Sequence, residues 1–456
     1  MVVGDVTTAV DVLVLGAGPG GYTAAIRAAQ LGHHVTLVEA DMPGGTCLNR
    51  GCIPLKALLS SSERYAETWQ EETKAMGITD GCTLNWAAMQ DWKQGVVNRL
   101  AEGVRKLIAG NAIEYVRGKG WFINAQEVRV EGEYGSHHFK FDHCIIATGA
   151  EAAPVPGLPY DGKQVLTPEQ ALTLPGRPET LSIYGDDYIA LELATVFARL
   201  DVEVKLYSPG EQLLAGFDPA ALRLVQAGLR KLGIAIATKT PVEKVATITE
   251  HPVIISNGVY PHTADLHASD AGIELTANNG IAVTNMQQSS VPNIYAVGDC
   301  TGGQALASIA IKQGKVAAEV LSGQRVQFAP LVIPRVVHTT PELATVGYTA
   351  QEATQAGYNV VTGRFPLAAS GRALTLAAEN GTALIVADAD NGLLLGATLV
   401  GPHVGDLIGQ LTLAIEMGAT LTDLSEILYP HPSLSEIVLE GSENALGHAI
   451  HILTKP

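Results

Sequence analysis

Three observations point to an α/β protein built from three units. The apolar run VDVLVLG (10–16) ends on a glycine and leads into the small-residue stretch GAGPGGYTAAIRAAQLG. A second run of this kind, LSIYG (181–185), places its glycine 169 residues after Gly16, a spacing that an internal duplication explains. From Ile333 onward the chain alternates strand-like segments with two helical stretches. Strand, glycine turn and helix, met twice, give two Rossmann-like nucleotide-binding domains, with a C-terminal α+β domain after them.

Composition bounds what such a chain can do. Its 456 residues suit about three domains, and 47% hydrophobic content with 48 glycines fits a large core joined by tight turns. A net charge of −17 argues against a nucleic-acid backbone or an anionic membrane as partner. Five cysteines are too few for a disulfide scaffold and odd in number, which suits a reducing compartment with one working pair. No basic segment precedes the first apolar run, and no stretch of about 18 uncharged apolar residues occurs. A soluble, cytoplasmic enzyme without a membrane span is the expectation, and no metal site is expected.

In the first unit, Gly16, Gly18 and Gly21 supply the Gly-x-Gly-x-x-Gly spacing. The first permits the tight turn, the second lets backbone approach a pyrophosphate, and the third lets helix pack on strand. The helix then presents its free N–H groups to the phosphates. The next strand, HVTLVE, ends in Glu39, 23 residues past Gly16 and suited to a ribose hydroxyl. A glycine fingerprint alone could be a turn; strand, fingerprint, helix, strand and acid in this order is specific.

Next comes GGTCLNRGCIPLKALL (44–59), in which Cys47 and Cys52 sit five apart ahead of an apolar helical run. Backbone N–H groups and the positive end of a helix favour thiolate over thiol, so such a pair is chemically poised. By spacing alone it could equally be a structural disulfide or two buried thiols. Helices are expected around 56–72 and 86–109, strands at GKGWF (118–122) and within DHCIIATGA (142–150), and a linker at Pro154, Pro156 and Pro159.

The string Cys-Leu-Asn-Arg-Gly-Cys-Ile-Pro, with Lys56 shortly after it, resembles the redox-disulfide helix of the flavin disulfide reductases, most closely the dihydrolipoamide dehydrogenase branch. Glutathione and mercuric reductases are less similar, and no cysteine pair stands at the C-terminus. The resemblance implies FAD as cofactor and a homodimer. It implies an FAD-binding domain from 1–150 and 266–333, an NAD-binding-like domain at 151–265, and an interface domain at 334–456. It places Thr46, Lys56, Gly120, Thr148 and Gly149 at the flavin, with Asp299 of NIYAVGDC on the ribityl chain and the helix starting near Ala307 beside the ring. Glu192 is implied to pair with Lys56, although a helical glutamate could also serve a plain surface pair. Leu55 stands where Ser or Thr is usual, and Cys300 reads as a buried small residue.

The second unit departs from that family. Gly185-Asp186-Asp187-Tyr188-Ile189-Ala190 replaces the fingerprint, putting Asp187 where a glycine should touch pyrophosphate. A carboxylate ~4 Å from a phosphate charge is opposed by about 4 kcal/mol at an effective dielectric near 20, roughly a thousandfold in affinity. Ser208 takes the place of the ribose-holding acid, the segment 242–263 looks shortened by a hairpin, and Val259 stands for the usual arginine. NAD is therefore a doubtful ligand, unless a nearby lysine neutralises Asp187.

Near the C-terminus, YPHPSLSEIVLEG carries His431 and Glu436, which match the family's acid–base pair reaching the other subunit's disulfide. An imidazole is suited to taking a thiol proton near neutrality. Glu436 could instead close a capping box on Ser433, and Tyr429 stands where a flanking histidine is common. The mapped chemistry has Cys47 as interchange thiol, Cys52 against the flavin, and His431 as base oriented by Glu436. Its substrate would be a lipoyl-carrying protein or a small dithiol. Three functions stay open: an ordinary NAD-reducing enzyme, one that passes electrons to a redox protein or quinone, and a non-catalytic flavin-containing lipoyl-binding subunit.

Overall fold

The computed structural model describes residues 7–78, 81–133 and 135–453. Strand β1 (Thr7–Leu15) is wholly buried over its last four residues and pairs in parallel with β2 (Val35–Glu39) and with the strand Gly135–Ile146. A strand buried on both faces needs a continuous aliphatic run, which is what VLVL provides. Between β1 and β2 lies α1 (Pro19–Gln30), opened by a proline at its first position, where the missing N–H costs nothing. The strands Glu114–Arg117 and Ile294–Ala296 extend the parallel part of this seven-stranded sheet, and Lys119–Asn124 and Glu127–Gly132 add an antiparallel edge.

Two helices carry the cysteines: α2 (Gly45–Asn49) and α3 (Cys52–Glu67). The helix expected at 56–72 thus starts earlier, on Cys52 itself, and stops at Glu67. The expected second helix runs Trp86–Gly110, capped by Asn85, whose side chain accepts from Ala88 N. On α3, Leu55, Leu58 and Leu59 are buried in the core of the second unit, among Leu172, Leu191 and Leu193. That explains Leu55: it is a packing residue joining the cysteine helix to the neighbouring domain.

The second unit holds a five-stranded, all-parallel sheet in the order Ala235–Ala237, Glu203–Tyr207, Thr180–Tyr184, Val253–Ile255, Val165–Leu166. The helix Tyr188–Arg199 packs on it with nine buried residues. Between residues 238 and 252 only the short helix Val242–Ala246 forms, so no hairpin is present there. A two-stranded ladder, Ala150–Ala152 against Val259–Pro261, ties the two crossings between the first and second units. The third unit is an antiparallel five-stranded sheet with the helices Val404–Glu416 and Glu436–Leu446 against it.

Candidate active site

The parallel sheets leave a crevice at the carboxyl ends of their strands, where such folds bind ligands. A cavity of about 500 Å³ lies there, running from Gly16 and Glu39 past Cys47, Cys52 and Lys56 to Tyr188 and Val259. At its first end the glycines meet strict steric demands. A Cβ on Gly16, which has φ of +99°, would lie 2.3 Å from the Ala147 carbonyl oxygen, and one on Gly21 would lie 1.8 Å from the Gly16 oxygen. Gly18 caps α1 without a side-chain hydrogen bond, leaving the helix N–H groups free for an anion. Glu39 accepts from Ala17 N at 2.6 Å and from Asp41 N at 2.8 Å, so its carboxylate is fixed at the end of β2.

The two cysteines lie close enough for the Cys47 thiol to hydrogen-bond Cys52. That bond, together with the nearby Lys56 ammonium, brings Cys52 down to about 7, while Cys47 is held high by the same bond and by burial. The shared bond and the Lys56 charge thus favour the thiolate on Cys52 over one on Cys47. Lys56 Nζ is 2.5 Å from Glu192 Oε2, and the other Glu192 oxygen accepts from His338 N at 3.0 Å. Glu192 is fully buried, so its charge depends on both partners. The pairing of Glu192 with Lys56 agrees with the sequence expectation.

Thr46, Gly120, Thr148, Gly149, Asp299 and Ala307 all line this cavity. Thr148 donates its hydroxyl to the His262 carbonyl at 2.8 Å. The Asp299 carboxyl is pushed up by burial. The helix Ala307–Leu321 begins there without a side-chain cap. These residues fit a flavin dinucleotide: a glycine cradle that a Cβ would fill, two open helix ends, and a desolvated acid facing the cavity. Cys300 is fully buried and donates to the Val297 and Ile146 carbonyls, a packing role as expected.

His431 and Glu436 are not among the residues lining this cavity. His431 Nδ1 lies 2.8 Å from Glu436 Oε1, and the imidazole is 82% exposed. The other Glu436 oxygen accepts from Ser433 N at 2.7 Å. Only that half of the expected capping box forms: the Ser433 hydroxyl pairs with Ser435, and Glu436 is the first residue of its helix. The glutamate thus clamps backbone and imidazole together. Tyr429, buried enough to be pushed up to about 12, donates its hydroxyl to the Leu424 carbonyl at 3.3 Å.

The second-unit glycine motif is occupied by its own side chains. Asp187 caps the helix Tyr188–Arg199, accepting from Ala190 N at 2.8 Å and from the Ser256 hydroxyl at 2.8 Å. No described lysine or arginine pairs with it, so the neutralising lysine allowed by the sequence is not found. Ser208 is buried and donates to Asp186 at 3.3 Å. Sequence reasoning missed Ser256, Tyr188 and His338. Ser256 had a usable signal, since it directly follows a strand of the parallel sheet and so edges the crevice.

A dithiol at a helix start, a lysine held by a buried glutamate and a dinucleotide cradle beside them define a flavoprotein disulfide oxidoreductase. The pyridine nucleotide-disulphide oxidoreductase model matches residues 10–314, and the dimerisation domain of the same family matches 333–441. The chain belongs to this family, and it is an FAD-dependent oxidoreductase of dihydrolipoyl dehydrogenase-like sequence. It is 38% identical to dihydrolipoyl dehydrogenase of Geobacillus stearothermophilus over 473 residues and 40% identical to that of Haloferax volcanii over 478, covering the whole of each chain. The HOCl-induced flavoprotein disulfide reductase RclA of Escherichia coli, in its Cu(II) complex, is similar in structure with a TM-score of 0.86 at 25% identity. That match covers 96% of this chain and 99% of RclA. LpdA of Mycobacterium tuberculosis shares the fold at a TM-score of 0.87, covering 95% of this chain and 99% of LpdA at 22% identity. The dimerisation domain supports a homodimer, and no helix among the described residues is long and apolar enough to cross a membrane.

Proposed function

We propose that this enzyme oxidises a dihydrolipoyl dithiol through Cys47 and Cys52 and passes the electrons on through FAD to an acceptor other than a nicotinamide. FAD, when bound, would supply the two-electron acceptor for the reduced Cys47–Cys52 pair. Gly16, Gly18, Gly21, Glu39, Thr46, Lys56, Gly120, Thr148, Gly149, Asp299 and the start of the helix at Ala307 would hold it. Starting from the oxidised pair, a substrate thiolate attacks Cys47 Sγ; the new S–S bond forms as the Cys47–Cys52 bond breaks. Cys52 leaves as a thiolate, which its neighbours favour near neutrality. The second substrate thiol then closes the lipoyl disulfide and releases Cys47, so the substrate is oxidised and the pair reduced.

The proton of the attacking thiol goes to an imidazole. An exposed His431 already oriented by Glu436 suits a base that serves the other copy's disulfide across the dimer, so each site needs His431 of the partner subunit. The single observation that carries the acceptor reading is the Asp187 carboxylate capping the helix where pyrophosphate would rest. The substrate would be a lipoyl-carrying protein or a small dithiol, and the acceptor a redox protein or quinone.

Steady-state oxidation of dihydrolipoamide tests this reading. Turnover is expected with an artificial quinone acceptor and at least about a hundredfold lower kcat/KM with NAD, as the charge opposition above implies. NAD-supported turnover matching the quinone rate would overturn it.

A further inference from the structure

The Asp187–Ser256 contact is more than a lost glycine. Asp187 spends both carboxylate oxygens on the Ser256 hydroxyl, at 2.8 Å each, while one of them also accepts from Ala190 N. Ser256 follows the strand Val253–Ile255, 69 residues along the chain, so the contact bridges the helix start and the neighbouring strand end. Gly185, two residues before Asp187, is pinned with φ of +156°, and a Cβ there would lie 2.3 Å from the Ser256 carbonyl oxygen. The turn is therefore built as closely as one that receives a dinucleotide, yet its N–H groups and its negative charge are internal.

The adjoining residue closes the other side. The Asp186 carboxylate accepts from the Ser208 hydroxyl, and its carbonyl accepts from Leu214 N at 2.8 Å. Gly210 passes so near that a Cβ on it would lie 2.9 Å from Asp186 Oδ2. The segment 208–214, which follows the strand where an adenosine ribose would be held, is thus tied to the same turn. Its last two residues, Leu213 and Leu214, are buried.

We infer that Asp187 and Ser256 form a clasp that sets electron-acceptor specificity by holding a carboxylate where a dinucleotide pyrophosphate would bind. It rests on the reading that wild-type enzyme does not use a nicotinamide, and it adds which two side chains supply the opposing charge at that site. An intact parallel sheet lies behind them, with a helix whose end only Asp187 caps. The helix loses a cap if Asp187 is removed, but an incoming phosphate supplies the same acceptors.

The test is anaerobic titration of the flavin-loaded dimer with NADH, following flavin absorbance and NADH binding by calorimetry. Wild type is compared with Asp187→Gly/Ser256→Ala and with Asp187→Asn, which keeps a capping side chain but removes the charge. The clasp predicts NADH binding at least about a hundredfold tighter in the double variant and a smaller gain in Asp187→Asn, since bulk remains. Should the double variant not retain its flavin, Asp187→Asn decides alone, a gain supporting the clasp and none overturning it. Flavin-loaded variants that bind NADH no better than wild type overturn the clasp while leaving the acceptor reading intact. Micromolar NADH binding to wild type overturns both.

Discussion

Cys52 gains its reactivity from three neighbours that the chain brings together: the Cys47 thiol, the Lys56 ammonium and the amino end of α3. Its thiolate forms as pH rises through about 7, the value to which those groups lower it. Alkylation of the reduced Cys47→Ser variant should therefore accelerate through that pH, because serine keeps a hydroxyl donor, and Lys56→Met should move the midpoint upward. A midpoint unmoved by Lys56→Met would remove the lysine from the account. The glycines, the cysteines and Glu192 were legible as residues because each answers a local demand: no room for a Cβ, a sulfur at a helix start, an acid two residues past the motif. Ser256 was legible only as a serine ending a strand at the crevice edge; its pairing with Asp187, 69 positions away, has no local signal.

Among the elements, α3 does two jobs. It sets Cys52 and Lys56 at the cavity, and it buries Leu55, Leu58 and Leu59 in the second unit's core. Restoring the family's usual polar residue with Leu55→Ser should cost about 2–4 kcal/mol, the range for emptying a buried leucine site, read as a lowered urea midpoint. The helix Tyr188–Arg199 meets α3 through Lys56–Glu192 and through Arg199, which holds Glu63 at 2.8 Å and the Thr340 hydroxyl. Glu192→Ala should destabilise by about 3 kcal/mol, since it leaves a partly buried ammonium and the His338 N–H without an acceptor. A loss below 1 kcal/mol would show that the pair is not holding the units together. Element type was largely readable from aliphatic runs and glycine stops. Element ends were less so: α3 begins on Cys52 because Gly51 can take the backbone into the helix there, which composition alone does not reveal.

At the scale of the whole molecule, the dithiol and the histidine of one chain do not share a cavity. If each site draws its imidazole from the other copy, two inactive variants should rescue one another. Cys47→Ser and His431→Ala dimers, each nearly inactive alone, should regain about a quarter of wild-type dithiol oxidation after subunit exchange, because half the dimers are then mixed and each has one complete site. No recovery would place the base elsewhere. The order of three units was legible in the sequence, since the two glycine-terminated strands repeat at fixed spacing. That the second unit keeps its sheet while filling its own phosphate site was legible only as missing glycines; the hydrogen bonds that replaced them needed the fold. The central claim is that electrons enter through sulfur. Its most direct measurement is rapid anaerobic mixing of the flavin-loaded enzyme with excess dihydrolipoamide: the flavin absorbance should fall in wild type and stay unchanged in Cys52→Ser. An equal fall in both, or none in wild type, would contradict it.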